Sequence, residues 1–326
     1  EARSVSTDGS VVVGYARDAT SYQRAFRWTA AGGIQLLSTQ DGGNSAAYAV
    51  SADGTVVVGH SIITNGAFRW TAADGMEALG SPNGLGSTAY AVSADGLVVV
   101  GGYTYETPGR AYLSRAFRWT AADGMQSLGF MLPAHNTSVA LAASANGSVV
   151  FGYSGVSSGQ YRAFRWTAAD GMQNLGTLGG DWDIPHDVSA DGSVVVGNSR
   201  TVYGDRAFRY TAAGGMEDLN ITYANLLTSG SLLWTAYAIS PDGRYIAGTG
   251  YIDGNVQAFL LDTQSTCAIH NGDVDSNCCI DDADLLAVLF AFGNTGSNLG
   301  RVDVNCDQTV DDADLLLVLF NFSSGC

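Results

Sequence analysis

One unit recurs six times in residues 1–262, and nothing else in the chain limits its fold as tightly. The unit has four parts. The first is a short alternating run ending in a Ser-x-Asp-Gly-like turn: SVSTDG at 4–9, AVSADG at 49–54 and 91–96, AASANG at 142–147, DVSADG at 187–192 and AISPDG at 238–243. The second follows at once as VVVGY, VVVGH, VVVGG, VVFGY, VVVGN and YIAGT. The third is AFRWT around Phe26, Phe68, Phe117 and Phe164, then AFRYT at Phe208 and AFLLD at Phe259. The fourth, Gly-Met-x-x-Leu or a close variant, runs from Ile34 to Leu37, Met76 to Leu79, Met125 to Leu128, Met172 to Leu175 and Met216 to Leu219.

Each part reads as one strand. A β-branched run such as VVV suits a pleated, buried surface. Asp-Gly between parts one and two predicts a two-residue hairpin with positive φ at both turn positions. Ala-Ala-Asp-Gly supplies a second turn. Four antiparallel strands per 42–51 residues is the period of a propeller blade. No segment of the repeat region shows a 3.6-residue period, which excludes a helical solenoid. The expected fold is therefore all-β: a six-bladed β-propeller of four-stranded blades over 1–262. Parts one to three occur six times but part four only five, so one blade lacks a strand. It is expected from upstream of Glu1, from the linker near Thr263–Ile269, or from a neighbouring copy.

The Ala-Phe core of part three resembles the HAF-type extracellular repeat. Arg24, Gly66, Arg115, Arg162, Arg206 and Gln257 fill the position of that family's His. The resemblance implies a secreted or cell-surface propeller and no established activity.

Beyond Asp262 the composition changes. Residues 267–326 hold ten Asp and one Arg, and two segments align 30 residues apart, DVDSNCCIDDADLLAVLFAF from Asp273 and DVNCDQTVDDADLLLVLFNF from Asp303. Side-chain oxygens fall at loop positions 1, 3, 5, 9 and 12: Asp273, Asp275, Asn277, Asp281 and Asp284, then Asp303, Asn305, Asp307, Asp311 and Asp314. Position 7 adds the backbone carbonyls of Cys279 and Thr309. Alternate residues of a curled loop aim hard oxygens inward, which is the EF-hand rhythm and predicts two Ca2+ ions. The last Asp of each set opens an apolar helix, where its charge also suits the helix dipole.

This duplicated loop–helix pair resembles a dockerin, over roughly 271–322 after a linker at 263–270, with the module taken to 326. Loop position 6, ordinarily Gly, is Cys278 or Gln308, which implies backbone strain. Partner-reading positions 10 and 11 are Asp282-Ala283 and Asp312-Ala313, a departure from ordinary cohesin binding. The helices are apolar nearly all round, so Leu285, Leu289, Phe290, Phe292, Leu315, Leu319, Phe320 and Phe322 are expected to face the propeller or another subunit.

The five cysteines are all late, as expected for disulfides in an oxidising, extracellular setting. Cys267 with Cys326 would clasp the module, and Cys306 with Cys278 or Cys279 would join the loops; connectivity is not readable from sequence. Glu1 opens inside a repeat without Met, which reads as a processed or partly traced chain.

A net charge of −16 argues against nucleic acid. All 15 basic residues are Arg, which removes Schiff-base and P-loop lysine chemistry. No apolar run reaches membrane-spanning length. His60, His135, His186 and His270 are scattered, and no HExxH, GxSxG or Walker motif is present, so no catalytic residue is assigned. The recurrent Asp8, Asp53, Asp95, Asp191 and Asp242 read as turn residues, and the recurrent Arg27, Arg69, Arg118, Arg165 and Arg209 as inter-blade bonds. Trp182 with Asp181 and Asp183 offers a carbohydrate-binding edge, weighed against ordinary turn packing. Asn136, Asn146, Asn220 and Asn321 sit in N-x-Ser/Thr sequons and are candidate glycan acceptors.

The expected function is an extracellular structural or assembly protein, of filament or surface-layer type. Its partner would be another copy of itself or a different surface protein. The alternative is a tethered propeller that binds a glycan or peptide.

Overall fold

The computed structural model describes all residues except 20, 38–42, 84, 110, 157, 229, 253, 265–271, 276–278, 297–298 and 323–326, and the side chain of Asn225. The four parts of the repeat fold as four antiparallel strands in sequence order. Blade one is Ala2–Val5, Val11–Arg17, Gln23–Thr29 and Gly33–Leu36. The same order recurs over 45–78, 87–129, 137–174 and 183–218. Blade six holds three strands among the described residues: Leu232–Ile239, Tyr245–Ile252 and Asn255–Asp262. Its last strand exposes Val256 and Leu260 at the edge, where the other blades carry a fourth strand.

The glycine ending each VVVG run is dictated by a close approach. The first strand carries a register irregularity in every blade, Ala47/Ala49 in blade two for example. That brings a carbonyl of this strand against the second strand. A Cβ at Gly59 would lie 2.0 Å from the Ala46 carbonyl oxygen and 2.9 Å from the Phe68 ring, and Gly197 meets Ile184 and Phe208 in the same way. The freed space takes the Phe of part three: Phe68, Phe117, Phe164 and Phe208 are fully buried, as are the Val pairs Val57–Val58, Val99–Val100 and Val195–Val196 and, in blade four, Val150 with Phe151. Burying each such ring contributes roughly 1.5–3 kcal/mol.

The Asp-Gly turn differs from the expected two-residue hairpin. Only its glycine takes positive φ, +72° at both Gly9 and Gly54, and the loop is longer by the residues on either side of Asp-Gly, Thr7 and Ser10 in blade one, inside the Ser6 N to Val11 O hydrogen bond. The Asp carboxylate organises it instead. Asp8 Oδ1 accepts from Ser6 Oγ (2.7 Å), Ser10 N (3.0 Å) and Ser10 Oγ (2.8 Å). With the side chain holding both arms, Asp keeps an ordinary negative φ.

These turns also join the blades. Thr7 N donates to Ala52 O, Ala52 N to Ala94 O, Ala94 N to Ala145 O, Ala145 N to Ala190 O and Ala190 N to Pro241 O, all at 2.8–3.0 Å. The sixth link would need an N–H from Pro241, which has none. Each turn glycine from Gly54 to Gly243 packs on a valine of the preceding blade, Gly54 on Val11 for instance, whereas Gly9 has open space around it. The six blades nevertheless share a central channel. A cavity of about 350 Å3 is lined by all six blades, from Val5 and Thr7 round to Ile239 and Pro241.

The tail has its own core: Ile280, Val288, Val304, Val310 and Val318, all fully buried or nearly so. It packs two helices, Asp282–Ala291 and Asp312–Phe320, against each other. The described residues contain no helix long and apolar enough to cross a membrane.

Candidate metal centre

The two acidic loops each gather three carboxylates. Oxygens of Asp273, Asp275 and Asp284 lie within 4.8 Å of one another, as do those of Asp303, Asp307 and Asp314. Asp284 and Asp314, the position-12 residues, are fully buried. Asp284 accepts from the backbone N–H groups of Val274 (2.6 Å), Asp275 (3.1 Å) and Asp281 (3.0 Å). Asp314 accepts from those of Asn305 (3.0 Å) and Asp311 (2.9 Å). A buried carboxylate thus ties the start of each loop to its end.

The position-9 residues also start the helices. Asp281 and Asp311 are helix N-caps, accepting from Ala283 N and Ala313 N at 2.8 Å, and Asp284 and Asp314 complete the capping boxes. Of the expected ligand set, the structure therefore brings three acids of each loop together and uses the fourth to start the helix. Asn305 Nδ2 donates to Asp307 Oδ2 at 3.0 Å, on the rim of its triad. Cys279 and Thr309 precede the core residues Ile280 and Val310. Asn277 and Cys278 lie outside the described residues, as do Cys267 and Cys326, so the expected Cys267–Cys326 bridge and a Cys278–Cys306 bridge are not defined here.

Electrostatics set the problem that a cation would solve. Burial pushes the Asp303 carboxyl above its ordinary range, and the neighbouring charges of Asp314 and Asp307 add to that, against donation from Gln308 and Asp307 N–H. Burial also pushes Asp284 up, but its three loop N–H donors outweigh burial and hold it low. Three crowded carboxylates, one of them fully buried, form an all-oxygen donor set suited to a hard divalent ion.

The strain expected at loop position 6 is present in the second loop, whereas Cys278 of the first lies outside the described residues. Gln308 has φ +71°, and Cys306 two residues earlier has φ +60°. A left-handed non-glycine residue costs roughly 1–2 kcal/mol. Sequence reasoning missed Arg301. Its Nε donates to the Val274 carbonyl at 3.1 Å, and a terminal nitrogen donates to the Asp273 carbonyl, tying the second half of the tail to the first loop. Its being the sole basic residue in 267–326 was the available signal.

The helices above the loops divide their apolar residues. Leu285 and Leu315 pack on the module's core. Leu289, Phe292, Leu319 and Phe322 stand partly in solvent, joined by Leu286 and Leu316, which the sequence reading left out. Phe290 and Phe320 are 87 % and 81 % exposed.

On the propeller, Asp183 does not present a sugar-binding edge. It is fully buried, 3.2 Å from Arg162, and takes a hydrogen bond from Ser199 Oγ. Arg27 and Arg118 do reach the turn carbonyls of the next blade, at Gly54 and Gly147, whereas Arg69 and Arg209 pair with Glu77 and Glu217 of their own blades. Asn220 Nδ2 donates to Asp218 and to the Leu233 carbonyl, and Asn321 Nδ2 to the Leu317 carbonyl. Asn146 Oδ1 replaces the turn Asp of blade four.

No protein-family profile matches the chain, and no curated protein matches it. Solved structures do. One of two prolyl endopeptidases aligns over 80 % of this chain and 41 % of its own, at 10 % identity and a TM-score of 0.53. TolB from Acinetobacter baumannii aligns over 66 % of this chain at 13 % identity and a TM-score of 0.45, and this chain covers 52 % of it, about half its length. At these identities the likeness concerns the fold alone.

Proposed function

We propose that this chain is an extracellular assembly protein, whose propeller is joined to a second copy of the chain through a calcium-organised, dockerin-like tail. The observation carrying this reading is the outward placement of Phe290 and Phe320 on helices anchored by the two acidic centres. An exposed aromatic pair amid half-exposed leucines is a surface that water disfavours. Calcium, when bound, would neutralise the crowded carboxylates. Asp273, Asp275 and Asp284 would hold one ion, and Asp303, Asp307 and Asp314 the other.

The chain's own residues do the rest. Asp281 and Asp311 start the helices, Asp284 and Asp314 lock each loop to its helix, and the Val288–Val318 core sets the pair together. Among the described residues no fourth strand covers the edge of blade six, where Val256 and Leu260 stand in solvent, and this supports a second copy as the partner, since a strand edge invites pairing. The reading assigns no catalysis. Cysteine bridges and an exterior location belong to the same proposal.

The test replaces Phe290 and Phe320 together by Ser in the full chain with calcium present. Sedimentation should shift from assembled species to monomer while calcium binding, read by titration calorimetry, is unchanged. Assembly unaffected by the double substitution would refute the docking role.

A further inference from the structure

The position before Ala-Phe holds arginine in four blades, and in three of them a carboxylate meets it. Asp18 lies 2.7 Å from Arg24, Asp183 lies 3.2 Å from Arg162, and Asp218 lies 3.9 Å from Arg206. The carboxylate comes from a different place in the repeat in each case. Asp18 precedes its arginine by six residues, Asp183 follows by 21 and Asp218 by 12. The recurring element is thus the arginine pocket and its demand for an anion, not a repeated ion-pair motif. A backbone carbonyl completes each arrangement: Gly43, Gly180 and Asp205 respectively.

Arg115, the fourth, is different. Among the described residues no carboxylate and no hydrogen-bond acceptor meets its guanidinium, and Nε is sealed from solvent without a partner. Two aromatic rings take the place of the acid. Its Cζ lies 4.4 Å from the centre of the Tyr105 ring and 4.6 Å from that of Phe130. The two rings are 6.0 Å apart and inclined at 51°, so they form an angled cradle. Tyr105 is pinned by its hydroxyl, which donates to the Asn136 carbonyl at 2.5 Å. Such a cradle fixes the cation and strips part of its water, while the terminal nitrogens still reach solvent. A planar fork held in place with its donors unspent fits a carboxylate in two-point contact.

We propose that Arg115, cradled by Tyr105 and Phe130, is a binding site for the carboxylate of an external ligand, which supplies in blade three what Asp18, Asp183 and Asp218 supply elsewhere. The site lies on the propeller and is independent of the tail reading. A sugar acid and an acidic amino acid share the required group, so both serve as probes.

The experiment uses the full chain with 15N-labelled arginine side chains and follows Nε–H resonances, assigning Arg115 by its loss in R115Q. Glucuronate and N-acetylaspartate are titrated to 50 mM, with methyl glucoside and N-acetylasparagine as neutral counterparts. The expected result is a saturable shift of the Arg115 signal with at least one acid and none with its neutral counterpart, while Arg24 and Arg162 stay fixed. Response to a single acid names the source. A response equal for acid and neutral compound, no response up to 50 mM, or equal movement of Arg24 and Arg162 would overturn the proposal. These comparisons hold within the unmodified protein even if R115Q folds poorly.

Discussion

Asp187 is the sole acid among the described residues lining the central channel. Ser4, Ala49, Ala91, Ala142 and Ala238 hold its place in the other blades. It accepts from Val188 N at 2.8 Å and, across the blade boundary, from Ile239 N at 2.9 Å. Burial pushes its carboxyl up to about 6, against those two donors. A raised carboxyl favours the protonated folded state. Stability from this group is therefore present below the unfolded value near 4 and is lost as pH rises through about 6, by up to about 3 kcal/mol. Asp187→Asn should flatten that slope, so the gap in urea midpoint between variant and wild type changes from pH 4.5 to 7.5; a constant gap would contradict it. The turn Asp8 acts in the opposite sense. Ser6 Oγ, then Ser10, hold it down to about 2, so its contribution is intact above pH 4 and fades only as pH falls toward 2. Gln308→Gly should relieve the left-handed strain at φ +71° and tighten calcium binding severalfold in calorimetric titration; unchanged or weaker binding would show that the strain is not limiting.

At the scale of elements, strands and turns were legible because each is written five or six times. Noise in one copy, such as AISPDG or AFLLD, is corrected by the others. The turn type was not legible, because Asp-Gly alone does not reveal that flanking Ser residues would bond the carboxylate and spare Asp a positive φ. The acidic loops were legible as spacing. Spacing does not say which oxygens converge, and Asp281 and Asp311 proved to be caps. Arg115 escaped because its distinction is a missing acid, which appears only when four arginine environments are compared in space. The caps carry a prediction of their own. Asp281→Ala should cost the tail roughly 1 kcal/mol and lower its helical circular-dichroism signal; a variant with unchanged signal and unfolding midpoint would remove the cap from the account.

Across the whole molecule, the ring is uneven. Five blade boundaries carry a rim hydrogen bond, and the boundary between blades six and one lacks both the Pro241 N–H and the glycine packing found at the other five. Blade six is the three-stranded one among the described residues, and its extra bond, Asp187 to Ile239, faces blade five. Opening should begin at that seam. Hydrogen exchange is expected to be fastest in 232–262 and in the first strand, and slowest around Phe117 and Phe164; uniform protection around the ring would contradict this. The assembly reading uses the same uneven ends, the open blade edge and the apolar tail.

Sedimentation velocity of the unmodified full chain, run in millimolar calcium and again after dialysis against a chelator, bears most directly on a cation-organised docking tail. The account predicts larger species with calcium, return to monomer on chelation, and recovery when calcium is restored. Assembly of the same size in both buffers, or monomer in both, would contradict it.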